Sequence, residues 1–575
     1  MQTQGYRSNG KDGALAPPVF DFVVIGSGFG GSVSAMRLSE KGYRVLVLER
    51  GKRYRDQDFP KTNWNLPRYL WLPALRWFGI QQITMLNGVL IYHGSGVGGG
   101  SLVYANVLMA PDDRMFAAPG WRHLADWKAV LRPHYDAARR MMGVTTNPRR
   151  WPADEALRQI AHDMGQGHTF SPTEVGVFFG EAGREGEAVP DPYFGGQGPA
   201  RHSCIHCGGC MVGCRHDAKN SLTKNYLYFA EKWGATIQAE SEAVDIRPLP
   251  GGQPDGARYE VVCRRSTAWL LKPRQVVRAR NVVVSGGTVG TLDLLFRCRD
   301  VTRSLPHLSP RLGNNVYTNS ESLPGVMARD QQTNYSEGVA ITSIFRADEV
   351  TTVEPVRYPE GSSFMRLICA PLIEAGDQGL GTRLWLSAQD YWRNFGEYTY
   401  AKLFANWARY TTILLVMQNT GNLMHLRPGR SFWTLFRRGL IAEHDEHNRI
   451  QAEIPISHEV TRALAEKIDG IPAGSFNETL FNIPSTAHIL GGVSLGRDAD
   501  EGVVGLNCEV HNYPGLYVVD GSIVPANPGI NPSLTIMALA EYAMSQVPPK
   551  EIATLPQLDL APLGVSKKKE LLLAN

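Results

Sequence analysis

Two groups of residues in this chain have the types and spacing to do chemistry. The first is Cys204, Cys207, Cys210 and Cys214, arranged C-x2-C-x2-C-x3-C. Thiolates at this spacing can converge in a short loop, and it is the spacing of bacterial iron–sulfur ferredoxin ligands. Gly208, Gly209 and Gly213 would let the backbone turn around a cluster with N–H groups free for sulfur. Four thiolates also suit tetrahedral zinc, although zinc sites usually pair their cysteines across a longer gap. Arg215 stands where ferredoxins carry proline, and there is no second four-cysteine set. A cluster is the leading expectation; zinc and free thiols stay open beside it. The second group is Gly26, Gly28 and Gly31, a G-x-G-x-x-G that follows the apolar run Phe20–Ile25. Gly26 allows the tight turn, Gly28 lets the backbone approach a pyrophosphate, and Gly31 lets the following helix pack close to the strand. That helix shows Val33, Ala35 and Met36 as its apolar face, and its N-terminus turns free N–H groups toward phosphate. A second strand over 43–48 ends in Glu49, which can accept from a ribose 2′-OH. The stretch 20–50 therefore predicts a site for the ADP half of a dinucleotide.

A chain of 575 residues is too long for one core and should divide into two or more domains. Hydrophobic residues at 43% and charged residues at 20% are those of a globular protein, and a net charge of +4 gives no reason to expect nucleic acid as a partner. Residues 1–18 are polar with no apolar core of signal-peptide type, and no run of about 18 apolar residues occurs. A cytoplasmic location is the expectation, and there eight cysteines argue against structural disulfides. The basic run Lys567, Lys568 and Lys569 reads as a solvated tail.

The elements that must position these groups follow in order. Residues 60–82 carry Trp64, Tyr69, Trp71, Trp77 and Phe78, with amphipathic spacing broken by Pro67 and Pro73. They read as a loop packed on the core, or alternatively as an apolar entrance touching a hydrophobic substrate or a membrane surface. Residues 94–101 are so rich in glycine that they suit a loop lying against a flat ring or a phosphate. Asp126 caps a helix whose body, 134–142, stops at Gly143. Helix is expected over 219–234, and strand over 236–246 and within 259–285. Ser285, Gly286, Gly287 and Thr288 then lead into a helix over 289–298, a second strand–glycine–helix unit. The aromatic segment 388–410 has helical spacing, which favours core, although it could also line a pocket for a bulky apolar molecule.

The stretches GSGFGGSVSAMRLSEKGYRVLVLERG, GVGGGSLVYAN and VVDGSIVPANPGINPSLTI resemble the glucose–methanol–choline (GMC) family of flavin oxidoreductases, in its bacterial cholesterol-oxidase-like branch. The similarity runs from about residue 20 to about 548. It implies an α/β fold with a discontinuous Rossmann-type FAD domain, 19–108, 201–315 and 481–548. A discontinuous α+β substrate domain, 109–200 and 316–480, would complete it, with tails at 1–18 and 549–575. It implies FAD, bound non-covalently because residues 98–106 contain no histidine. The residues implied to hold it are Gly26, Gly28, Gly30, Gly31, Glu49, Gly96, Gly98, Gly99, Ser101, Tyr104, Ala105, Asn106, Val244, Gly286, Asp520, Gly521, Asn531 and Pro532. His488, in a motif similar to the family's H-P-L-G-G, and Asn531 are implied as the catalytic pair. Alcohol oxidation needs a group to take the hydroxyl proton as the hydride leaves, and histidine titrates near working pH. An amide can hold the same oxygen without competing for the proton.

The expected substrate is a bulky apolar alcohol, foremost a 3β-hydroxysteroid such as cholesterol, with oxygen or an electron carrier as acceptor. A dehydrogenase for a terpenoid, fatty alcohol or sugar passing electrons through an iron–sulfur cluster is an alternative, as is a non-catalytic redox flavoprotein. Relatives that also shift the steroid double bond use a glutamate shortly after a Pro-x-Gly turn. The matching stretch places Ser363 there, with Glu354 and Glu360 read as surface or structural carboxylates. Coupled isomerisation is therefore in doubt.

Overall fold

The computed structural model describes residues 18–550 except 270, 404, 405, 433, 435 and 445–448, together with 556, 558 and 560. The N-terminal and C-terminal tails, including the lysine run, lie outside the described residues.

The strand Phe20–Ile25 lies inside a seven-stranded sheet, parallel to Val45–Leu48 on one side and to Arg274–Val284 on the other. Thr236–Gln238 extends one edge in parallel, and Leu516–Val518 pairs in parallel with the end of Arg274–Val284. Strands covered on both faces read as continuous apolar runs, which is why 22–25 and 45–48 carry no alternation and are buried throughout. The helix Phe29–Glu40 packs between Ser533–Ser545 and Tyr226–Lys232. It is buried so completely that its serines cannot reach water; Ser34 and Ser39 donate to carbonyls one turn back, at 2.8 Å each.

A second seven-stranded sheet runs in the order Cys369–Pro371, Gly470–Ser475, Gly325–Ala328, Thr411–Gln418, Thr351–Val356, Ser343–Arg346, Ser171–Pro172. Side chains alternate between its faces. Val326, Val353, Leu414 and Val416 pack under the helices Pro152–Asp163 and Pro455–Lys467. The residues between them, Met327, Glu354, Val356, Ile413 and Leu415, therefore face the other way; Glu354 stands opposite Leu415 and Val356 opposite Ile413. A hairpin, Gln81–Leu86 with Val89–Gly94, leads into the glycine-rich loop, and Ser485–Thr486 joins it in parallel. That pairing carries residues 487 and 488 to the loop.

Several elements differ from expectation. The helix expected over 219–234 covers only Tyr226–Lys232, because Asn225 leaves the helical region and its side chain caps the Tyr226 N–H at 2.7 Å. The strand over 236–246 breaks at Glu240, which has φ +57. Residues 60–82 form a single helical turn, Leu66–Tyr69, and a small hairpin; Tyr69 and Trp71 are buried while Trp64, Leu72 and Leu75 are exposed. The Asp126 cap is present and accepts from Ala129 N–H at 3.1 Å at the start of Trp127–Met141.

Candidate active site

A cavity of about 470 Å³ runs between the two sheets, from Gly26, Gly28 and Gly30 at one end to His488 and Asn531 and on past the second sheet. At the glycine end, backbone packing dictates the residue types. A Cβ at Gly26, where φ is +100, would stand 2.1 Å from the Ser285 carbonyl oxygen, and one at Gly31 would stand 2.1 Å from that of Gly26. A Cβ at Gly28 would meet nothing within 4 Å, so this position is open toward the cavity, as an approaching phosphate requires. Glu49 is fixed there by Ser27, whose N–H and Oγ donate at 3.1 and 2.7 Å, and by Gly51 N–H at 2.8 Å.

Gly99, Tyr104, Ala105, Val244, Gly286, Asp520, Gly521 and Pro532 also line the wall. Asp520 joins two remote segments, accepting from Gly287 N–H at 2.9 Å and Ser522 N–H at 2.8 Å; burial pushes its pKa up despite these bonds. Five expected residues are not on the wall. Gly31 packs on Gly26, Gly96 on Leu102 and Tyr54, and Gly98 donates its N–H to Ser27 Oγ at 3.1 Å. Ser101 Oγ donates to the Gly98 carbonyl at 2.7 Å, and Asn106 is wholly buried. They form the inner scaffold that shapes the loop, which is why glycine-loop spacing alone could not separate them from contact residues.

At the other end His488 Nδ1 donates to Glu321, a carboxylate with no exposed surface. Glu321 also accepts from Ala487 N–H at 2.8 Å and from the Asn319 amide at 3.4 Å, so its buried oxygens meet several donors. With Nδ1 donating, the neutral ring keeps its lone pair on Nε2. The Asn531 amide faces Glu354; with its nitrogen turned inward it lies 2.9 and 3.3 Å from the two carboxyl oxygens. Burial pushes the Glu354 pKa up to about 8, the Asn531 contact opposing and the Glu321 charge adding to the rise. Glu354 is thus buried rather than at the surface, behind the cavity wall that Asn531 lines. Ser363 begins the turn Phe364–Ile368 and does not reach the wall. His93, also on the wall, is drawn down to about 3 by burial and, less, by Arg50, and pairs with Thr84 at 2.8 Å. Neither Glu321 nor His93 has a local motif that singles it out; sheet alternation could have put Glu354 and Val356 on one face.

Beyond the pair the cavity widens between Tyr358, Met365, Tyr398, Trp407, Ile413 and Ile471. The 388–410 segment divides: Tyr398 and Trp407 are buried against this chamber, whereas Trp392 and Phe395 are exposed.

The cysteine motif does not form a metal site. Among the described residues no three His, Cys, Asp or Glu side chains are grouped to hold an ion, and all eight cysteines are free. Cys204 is buried, Cys207 exposed, and Cys210 and Cys214 intermediate. Protein donors meet sulfur instead, as His206 N–H meets Cys204 Sγ at 3.4 Å. Neither an iron–sulfur cluster nor a zinc site is thus shown among the described residues.

Residues 451–540 match the GMC oxidoreductase family model and residues 24–54 a NAD(P)-binding Rossmann-like domain. A cholesterol oxidase of Acinetobacter baumannii is 42% identical over 534 residues, 92% of this chain and 95% of the relative. One from Mycobacterium tuberculosis is 45% identical over 549 residues, 93% of this chain and 92% of the relative. Among solved structures, pyridoxine 4-oxidase from Mesorbium loti superposes with a TM-score of 0.58 at 17% identity, covering 92% of this chain and 99% of that one, which is a likeness of fold. The cavity fits FAD: it is open over Gly28, Glu49 is turned into it, and a ring can lie against Tyr104 and Ala105 within reach of His488. By that identity over that length, the chain belongs to the GMC oxidoreductases, in their cholesterol-oxidase-like branch, and is an FAD-dependent enzyme acting on CH–OH donors.

Proposed function

We propose that the protein oxidises the 3β-hydroxyl of a sterol such as cholesterol to the ketone, with oxygen as acceptor. The observation that carries this reading is the continuity of one cavity from the dinucleotide wall, past His488 and Asn531, into an apolar chamber. FAD supplies the hydride acceptor when bound. His488 Nε2 takes the hydroxyl proton, and Glu321 steadies the positive ring that results. Asn531 holds the substrate oxygen, and its amide nitrogen, turned inward, donates to the Glu354 carboxyl group. The chamber walls bury the sterol body, which supports a rigid apolar substrate over a sugar. Purified protein mixed with cholesterol under air should release a 3-ketosteroid and peroxide in equal amounts; turnover of sugars or short alcohols without sterol turnover would overturn the reading.

We also propose that Glu354, in its ionised form, takes a proton from C4 of the 5-en-3-one and returns it at C6 as the double bond moves into conjugation. Its place on the same sheet face as the wall residues Val356, Ile413 and Leu415, beside Asn531, supports this. The helix Phe395–Leu403 supplies Tyr398, Ala401 and Lys402 to the cavity wall, while its Phe395 and, in the preceding helix Leu380–Arg393, Leu384, Trp385 and Trp392 are exposed. These exposed apolar side chains, and Trp64 and Leu75 of 60–82, suit contact with lipid, from which a sterol would be drawn. No helix among the described residues is long and apolar enough to cross a membrane. Free cysteines throughout accord with the cytoplasm.

A further inference from the structure

The segment that follows the four cysteines holds the most deeply buried lysine among the described residues. Lys219 is 3% exposed, and its Nζ donates to three backbone carbonyls: Leu102 at 3.1 Å, Tyr104 at 2.9 Å and Cys210 at 2.8 Å. Three acceptors call for three N–H donors, which an ammonium has and a neutral amine lacks. It also lies 4.6 Å from the centre of the Tyr104 ring. Among the described residues no carboxylate stands within ion-pair distance of it; burial draws its pKa down to about 7, with the thiols of Cys210 and Cys214 opposing the fall, and it is the three carbonyl acceptors that call for the ammonium form. A buried cation without a counter-charge is costly to keep, so its contacts need an explanation.

Two of the three carbonyls belong to the loop whose Val103, Tyr104 and Ala105 line the cavity. Neighbouring bonds fasten the same two segments. Leu222 N–H donates to Ser101 Oγ at 3.0 Å, and Tyr104 OH donates to the Asn220 carbonyl at 2.9 Å. The Tyr104–Ala105 peptide is trans. In a trans peptide C=O and N–H point in opposite directions, so turning the Tyr104 carbonyl onto Lys219 turns the Ala105 N–H away from it. Among the described residues no acceptor meets that N–H, while Ala105 itself is on the cavity wall. The N–H of Val103, by contrast, is used by the Gly100 carbonyl at 3.1 Å.

We propose that Lys219 is a positioning residue for the flavin: its ammonium sets the Tyr104–Ala105 peptide so that the Ala105 N–H is offered to an acceptor atom of the flavin ring. This rests on FAD occupying the cavity. It gives the cysteine-rich segment a role that needs no metal, since the carbonyl of Cys210 completes the ammonium's set of acceptors.

The test is amide hydrogen exchange resolved at Ala105, on the full-length protein with and without FAD. In wild type, loading should slow exchange at this amide at least tenfold. In Lys219→Met, which keeps length and loses the donors, the slowing should disappear and the FAD dissociation constant should rise about tenfold or more, with the far-UV spectrum of the apoprotein unchanged. Equal slowing in the variant, or none in FAD-loaded wild type, overturns the proposal; the wild-type comparison decides alone if the variant does not fold. A wild-type protein that takes up no FAD at all overturns the cofactor reading as well, and the flavin content of the same sample tells the two failures apart.

Discussion

The two ends of the cavity are built on opposite principles. At the dinucleotide end the contacts are backbone on backbone, and Gly26, Gly30 and Gly31 are where they are because a Cβ would lie 2.1, 1.8 and 2.1 Å from a carbonyl oxygen. At the chemical end the contacts are side chain on side chain, in two pairs, His488 with Glu321 and Asn531 with Glu354, each joining segments far apart in sequence. Damage at the first end should therefore be to folding and cofactor retention, and damage at the second to chemistry with the cofactor in place.

The largest expected effect is at the first end. Gly31→Ala forces a Cβ onto the Gly26 carbonyl and should destabilise the fold by roughly 3 kcal/mol or more, leaving protein without flavin absorbance. Gly28→Ala meets no protein atom, so its melting temperature without FAD should match wild type while FAD affinity falls. Identical behaviour of the two variants would break the distinction drawn between them.

This end was the more legible one in the sequence, and the reason is physical. A tight turn and a close helix–strand approach restrict residue types at fixed local offsets, so Gly26, Gly28, Gly31 and Glu49 announce themselves within one stretch. Even there, Gly96, Gly98 and Asn106 could not be told from wall residues, because scaffold and contact positions share one composition. Glu321 and Glu354 were not legible, since their meaning comes from partners brought together only by sheet pairing. Glu354 in particular reads as an ordinary carboxylate until Leu414 and Val416 show which face of the sheet is covered. The cysteine motif shows the limit of spacing: it brings the four thiols near one another, but among the described residues no group is set to hold a metal ion.

At the second end, Glu354→Gln should abolish conversion of the 5-en-3-one to the 4-en-3-one while leaving alcohol oxidation within about tenfold of wild type. Product analysis at early times checks this, and undiminished 4-en-3-one would exclude Glu354 as the base. The same variant has a thermodynamic signature. With a pKa near 8 when folded and 4.5 as the ordinary value, native Glu354 keeps a proton that the unfolded chain releases between those values. Stability should fall as pH rises from about 4.5 to about 8 and level off above, by a few kcal/mol at about 1.4 kcal/mol per unit. Glu354→Gln should lack this slope, as denaturant unfolding at a series of pH values would show.

The smallest effect belongs to the chamber. Ile471→Ala removes apolar wall without touching either pair, and should raise KM for sterol by roughly 5- to 30-fold with kcat little changed, the scale of one lost aliphatic side chain. A matching loss in kcat would show that the wall also aligns the reacting carbon.

The central claim is that His488, set by Glu321, removes the hydroxyl proton in a cavity that holds both flavin and sterol. Anaerobic stopped-flow mixing of cholesterol with FAD-loaded wild type and His488→Ala tests it most directly, because flavin bleaching reports the chemical step without the acceptor. Wild type should bleach fully, and His488→Ala, with equal FAD content, should bleach about 10²-fold more slowly or worse. Bleaching at the wild-type rate in the variant would contradict the account.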